Sequence, residues 1–246
     1  MGPHTRRSSV SYRSPGVFMS TSQSEPITRQ AFVYKLGTIS YEDGYKAQEE
    51  FHRKVKAGEL SGAVLVLEHN PVLTLGKHAD LSYVLIDENE RLTRGVDYVR
   101  TDRGGEVTAH MPGQLVVYPI LPLLAFGLGA RDYVNALMQA VIQTLAYFGV
   151  KARCDAEFPG VWVGPNKICA VGVRIRERVS LHGIALNVNN SLELFESIVP
   201  CGIRHLGVTS LVKELGQDVS VETVETVLCQ ALSQTLRLSL QTTKNF

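Results

Sequence analysis

From Gln30 onward the apolar residues fall into regular patterns. Ala31 to Lys35 reads as a strand, and Ser40 opens a helical stretch in which Tyr41, Tyr45, Gln48, Phe51 and Val55 share one face. Asp43, three residues after Ser40, resembles a capping box with a shorter acid. Ala63 to Leu67 is a continuous apolar run, the pattern of a buried strand, and it ends at the turn His69-Asn70-Pro71. A second strand pair is expected around Gln114 to Pro122. The next long helix is predicted from about Arg131 to Phe148, with Val134, Leu137, Val141, Leu145 and Phe148 on its apolar stripe and Gly149 as the stop. Ala170 to Ile175 and Val179 to Val188 are strand-like runs joined by Arg176-Glu177-Arg178, a predicted β-hairpin. Ser220 then caps a last amphipathic helix that runs to about Leu238 through Val224, Val227, Leu228, Ala231 and Thr235. This order of elements predicts a mixed sheet with helices on one face, an α/β or α+β domain.

Composition narrows the picture. The chain has 246 residues, 44% hydrophobic and 20% charged, enough for one domain with a sizeable core. Residues 1–28 are expected to be a disordered extension, 29–240 a single catalytic domain and 241–246 a tail. The first 24 residues hold Arg6, Arg7, Arg13, seven serines and no acid, so they cannot bury enough apolar area to offset their ordering. They read either as an extended start ahead of Met19 or as an organelle transit peptide, so the expected location is cytoplasmic, or organellar in the second case. Lys plus Arg total 25 against 24 for Asp plus Glu, a net charge of +1, which supplies no bulk attraction to nucleic acid or to a membrane. Cys154, Cys169, Cys201 and Cys229 form no C-x-x-C pair and have no histidines at zinc-site spacing. Neither a metal site nor a disulfide scaffold is expected, and reduced thiols in a soluble intracellular protein are.

Three segments depart from ordinary core and surface. Arg103 to Gln114 carries paired glycines, an arginine and a histidine between strand-like runs, and its backbone amides can approach a ligand; its spacing fits no nucleotide-phosphate loop. Gly164 to Gly172 delivers Lys167 to the start of a buried-looking strand, where desolvation would make the amine a candidate proton carrier. Pro200-Cys201-Gly202 places a thiol on a loop, in contrast to Cys229 within a helix, and makes Cys201 the best candidate nucleophile. His110 and His182 are expected in the pocket and outside the catalytic pair. Cys169, two residues beyond Lys167, is expected on the same side of that strand in a packing role, and Cys154 has no assigned role.

The strings RGGEVTAH at 103–110, PGQLVVYP at 112–119, KICAVGVRI at 167–175, HGIALNVN at 182–189 and PCG at 200–202 resemble, in order, the signatures of the lipoyl(octanoyl) transferase family. The resemblance covers roughly Ala63 to Leu211. It implies transfer of an octanoyl or lipoyl group from acyl carrier protein to a specific lysine of lipoyl domains or of the glycine-cleavage H protein, through a thioester on Cys201. It implies that Lys167 lowers the thiol's pKa and moves protons. It also implies an acyl pocket formed by Arg103, Gly104, Gly105, Glu106, Val107, Thr108, Ala109 and His110, by Ala170, Val171 and Gly172, and by Gly183, Ile184 and Ala185. The implied fold is a mixed, largely antiparallel sheet flanked by helices, like that of the biotin and lipoate protein ligases.

The chain departs from the family at Ala109 and Met111, where the usual motif has an aromatic ring and a glycine, which leaves the acyl-chain preference open. A thioester donor is already activated, so no ATP, metal or other cofactor is required. An ATP-dependent lipoate or biotin protein ligase is the alternative enzyme, and a noncatalytic subunit that binds acyl carrier protein is the alternative of another class. Arg174, Arg176 and Arg178 are candidates for steering an acidic carrier.

Overall fold

The structure, a computed structural model, describes residues 29–77, 79–155, 158–199 and 207–243. The expected N-terminal extension and Cys201 lie outside these residues.

The chain begins with β1 (Arg29–Ile39), whose end passes through Ser40 into helix α1 (Tyr41–Lys56). The Ser40 hydroxyl accepts from the Asp43 amide, as an N-cap should, and donates to the Asp43 carboxylate at 2.7 Å, so the acid meets the hydroxyl. After β2 (Ala63–His69) come β3 (Val72–Leu75), a short helix α2 (Glu88–Thr93), β4 (Asp97–Arg100) and β5 (Val107–His110). β6 (Gln114–Ile120) precedes the long helix α3 (Ala130–Tyr147), and β7 (Arg153–Cys154) and β8 (Val161–Val163) lead to the hairpin β9 (Asn166–Arg176) and β10 (Val179–Asn187). The chain ends with β11 (Gly207–Val208), α4 (Leu211–Leu215), α5 (Val221–Leu236) and β12 (Leu238–Thr242).

Nine strands form the main sheet in the order β12-β1-β2-β6-β10-β9-β8-β7, with β11 beside β9. β12, β1 and β2 run parallel, β11 runs parallel to β9, and the remaining ladders are antiparallel. Both faces are covered, which corrects the expectation of helices on one face. Val64 and Val66 of β2 and Leu115 and Val117 of β6 pack under α3 and α5. The alternate residues Leu65, Leu67, Val116 and Tyr118 pack with Phe51 and Val55 of α1. A strand buried on both faces loses its polar alternation, which is why 63–67 reads as an unbroken apolar run.

The hairpin forms as predicted, with Glu177 at φ 51° and Arg178 at φ 70°, the paired left-handed conformation of a type I′ turn. Three expectations need correction. Gln114 to Pro122 is not a strand pair but one buried strand between β2 and β10. The last helix stops at Leu236 because Arg237 takes the left-handed conformation (φ 53°), and Leu238 instead starts β12 against β1. That strand continues through Thr242, so the first residues of the expected tail belong to the sheet. A small second sheet, β4-β3-β5, went unread because its strands have only four residues each.

Candidate active site

A cavity of about 220 Å³ lies over the hairpin β9–β10. Its floor is built on the register pairs Gly172–Gly183 and Ala170–Ala185, whose small residues leave room above the sheet, while the pair between them, Val171–Ile184, belongs to the core on the side of α3. One wall is the strap 101–106 with the start of β5, contributing Arg103, Gly105, Glu106, Val107, Thr108 and His110. Tyr41, Gln114, Tyr118 and His182 line it as well, and Lys167, Phe158, Pro159, Asn187, Phe195 and Val208 complete the lining.

The placement of Lys167 depends on a bulge. Val161 pairs with Cys169 but Trp162 pairs with Lys167, so Ile168 is an extra residue in β9 and the two-residue alternation breaks there. Lys167 and Ala170 therefore both line the cavity, while Ile168 and Cys169 both enter the core under α3. The expectation that Cys169 shares the side of Lys167 is thereby corrected. Burial pushes the Cys169 thiol up to about 12. Lys167 is 7% exposed; its Nζ donates to the Pro159 carbonyl at 3.1 Å and stands 4.7 Å from the centre of the Trp162 ring. Gly160, with φ 142°, makes room for it, since an added Cβ would stand 3.1 Å from Lys167 Cε.

A chain of buried side chains crosses the wall. His110 Nδ1 meets Gln114 Oε1 at 2.7 Å, Gln114 Nε2 donates to Asn187 Oδ1 at 2.9 Å, and Asn187 Nδ2 donates to the Thr209 carbonyl at 2.9 Å. The Thr209 amide in turn donates to the Lys167 carbonyl at 3.0 Å. β11 thus sits in register with Lys167, Val208 facing it and Gly207 facing Asn166.

Aromatic and imidazole rings cluster against the same wall. His69 lies 5.6 Å from His110 and Tyr118 lies 6.2 Å from His182. Burial pushes His69 down to about 4 and His110 down to about 3, so both are neutral. Burial, followed by the Arg103 and Arg174 guanidinium groups, also lowers His182, against the upward pull of the Glu49 carboxylate; its Nε2 stands 2.7 Å from Asp102 Oδ1. Burial raises the Tyr41 phenol to about 12.

Of the residues the sequence assigned to the pocket, Gly104 and Ala109 do not line it. Gly104 is exposed on the strap, its amide turned to the Val173 carbonyl, and Ala109 points into a separate core with Leu73, Leu75 and Met111. Met111 lies there too, so the two family departures sit behind Phe195 and do not touch the cavity. His110 and His182 are in the lining as expected. Tyr41, Gln114, Tyr118, Asn187, Phe158, Pro159, Phe195 and Val208 were missed as pocket residues, although Gln114, Tyr118 and Asn187 stand within the quoted motifs. Arg174 pairs with Asp102, and Arg176 forms a two-pronged pair with Glu49 at 2.9 and 2.7 Å, which ties both to the protein surface. Among the described residues no group of three or more His, Cys, Asp and Glu side chains could hold a metal, and no helix is long and apolar enough to cross a membrane.

The same fold occurs in lipoate-protein ligase A bound with ATP, which superposes with a TM-score of 0.66 at 16% identity over 89% of this chain and 90% of that one. The model of the lipoyl protein ligase A/B catalytic domain matches residues 40–233, and the chain belongs to that family of enzymes. Within it the chain is an acyltransferase of the octanoyltransferase family. It is 44% identical to the octanoyltransferase of Chloroflexus aggregans over 192 residues, 77% of this chain and 87% of that one. It is 43% identical to the mitochondrial octanoyltransferase of Arabidopsis thaliana over 183 residues, 74% and 78% of the two chains. The octanoyltransferase of Myxococcus xanthus is longer: the match, 40% identical, takes in 81% of this chain and 57% of that protein.

Proposed function

We propose that this chain transfers an octanoyl group from a thioester of acyl carrier protein to a lysine of a lipoyl domain or of the glycine-cleavage H protein, through a thioester on Cys201. The observation that carries the reading is the buried amino group of Lys167 at a cavity with an apolar floor, beside the strand that follows the Pro-Cys-Gly segment. Cys201 precedes Gly207 by six positions in the chain, and Gly207 is paired with Asn166, next to Lys167.

The chemistry needs one proton carrier. The neutral amine of Lys167 takes the thiol proton of Cys201, and the resulting ammonium steadies the thiolate. The thiolate attacks the donor carbonyl, the carbon–sulfur bond to the carrier breaks, and the departing thiolate receives the proton held by Lys167. The neutral amine of Lys167 then takes a proton from the incoming acceptor lysine as its nitrogen attacks the Cys201 thioester. An amide forms, the bond to Cys201 breaks, and that proton returns to its sulfur. The alkyl chain rests meanwhile on the Gly172–Gly183 floor, where burial of each methylene contributes about 0.8 kcal/mol.

The test mixes the protein with octanoyl acyl carrier protein and a lipoyl domain, without ATP. A gain of one octanoyl group on the acceptor is expected from the wild type and none from Cys201→Ser. Modification that requires free octanoate and ATP would overturn the reading in favour of a ligase.

A further inference from the structure

The strap 101–106 is held on its two sides by different means. Toward the small sheet it is pinned repeatedly: the Thr101 amide and hydroxyl both donate to the Leu75 carbonyl, at 2.8 and 2.9 Å. The Arg103 guanidinium donates to the Thr74 carbonyl at 2.7 Å, and the Lys77 amide donates to the Arg103 carbonyl at 3.0 Å. Toward the main sheet the backbone makes a longer contact, from the Gly104 amide to the Val173 carbonyl at 3.3 Å. On this side Asp102 supplies the side-chain tie. Its Oδ1 accepts from His182 Nε2 on β10 at 2.7 Å, and its Oδ2 accepts from the Tyr45 hydroxyl on α1 at 3.2 Å and from Arg174 on β9.

The far end of this tie is strained. His182 is a non-glycine residue at φ 57° inside a strand, a conformation that persists only where its surroundings overdetermine it. Its amide donates to Gln48 Oε1 at 2.7 Å and its ring stacks on Tyr45 at 5.9 Å. The fit beneath the strap is also close, because a Cβ on Gly172 would stand 3.1 Å from the Gly104 carbonyl oxygen and 3.2 Å from Arg103 Cδ. His182 and Gly172 line the cavity from below, and Arg103, Gly105 and Glu106 line it from the strap.

We propose that Asp102 is a positioning residue for the acyl cavity: by tying the strap to His182, Arg174 and Tyr45 it sets the height of the cavity roof and so the affinity for the acyl chain. The proposal rests on the reading of this cavity as the acyl site. It separates Asp102 from the chemistry at Lys167, since the strand position opposite His182 is Val173, six residues along β9 from Lys167.

The experiment compares wild type, Asp102→Asn and Asp102→Ala in steady-state transfer from octanoyl acyl carrier protein and in amide hydrogen exchange over residues 101–106. Asparagine keeps the shape and one acceptor oxygen but loses the charge. Asp102→Asn is expected to raise KM for the donor about tenfold, the worth of one charge-assisted hydrogen bond, and Asp102→Ala to raise it further, with kcat held. Exchange over 101–106 should speed up in both variants while that of β2 and β6 stays slow. A general loss of structure would lower the active fraction and leave KM alone. An unchanged KM overturns the proposal, as does a fall in kcat with KM held, which would mean that Asp102 acts on the chemistry through His182. If the wild type itself transfers no octanoyl group, the functional reading fails, and unaltered exchange over 101–106 in the variants would separately overturn the tie.

Discussion

Acidification from pH 7 to 5 should destabilise this protein through two buried neutral histidines. His69 is fully buried between the Ile39 carbonyl and the Tyr118 hydroxyl, and His110 is 6% exposed against Gln114. Their folded-state pKa values, about 4 and about 3, lie below the 6.5 of an ordinary imidazole. In that window the unfolded chain binds more protons than the folded one, so stability is full above pH 6.5 and falls with pH towards the folded values. Each depressed unit is worth about 1.4 kcal/mol, so each histidine costs about 2 kcal/mol at pH 5 and the pair about 4 kcal/mol, a large part of a typical 5–15 kcal/mol. Urea unfolding at a series of pH values measures the slope, and His110→Gln should roughly halve it. A stability flat between pH 7 and 5, or an undiminished slope in His110→Gln, would refute the assignment of neutral buried imidazoles.

Three other outcomes follow from packing and position. Gly183→Ala should cost about 3 kcal/mol or more by thermal unfolding, because its Cβ would meet the Val117 carbonyl and stand 2.9 Å from Pro119 Cδ on a central strand, whereas Gly37→Ala, with nothing within 4 Å, should cost only the strain of its φ of 66°. Lys167→Met keeps a flexible stem against Trp162 and removes the ammonium, so the rate of acyl transfer should fall about 10²- to 10⁴-fold with little change in melting temperature. Cys169, fully buried with its thiol pushed up to about 12, should stay unlabelled by iodoacetamide in the native protein at pH 7, read by peptide mass mapping, and react only after unfolding.

How much of this was legible in the sequence depended on element length and on local signals. α1, α3, α5 and the β9–β10 hairpin carry long periodic patterns with their own caps and turns, so Ser40, Gly149 and Ser220 mark real boundaries. β11 and β12 are short and are defined by a partner elsewhere in the chain, Val208 by Lys167 and Leu238 by Arg29, which no local window contains. The bulge at Ile168 was invisible for a related reason: alternation predicts that residues 167 and 169 share a face, and only the pairing with Val161 and Trp162 shows that they do not. In the candidate site, the motif strings supplied the floor and the strap. The helical period puts Tyr41 on the same face as Phe51 and Val55, and a helix face that packs on a sheet has the same period as one that closes a cavity, so its place in the lining is not legible. Cys201 was singled out by its flanking Pro200 and Gly202, and Lys167 by the turn before it.

The central claim, a thioester on Cys201 formed without ATP, is tested most directly by intact-mass measurement after mixing the protein with octanoyl acyl carrier protein alone. The wild type should gain one octanoyl group that hydroxylamine removes, that peptide mapping assigns to Cys201, and that is absent from Cys201→Ser. No gain in the wild type, or an octanoyl group that maps to another residue and survives in Cys201→Ser, would contradict it.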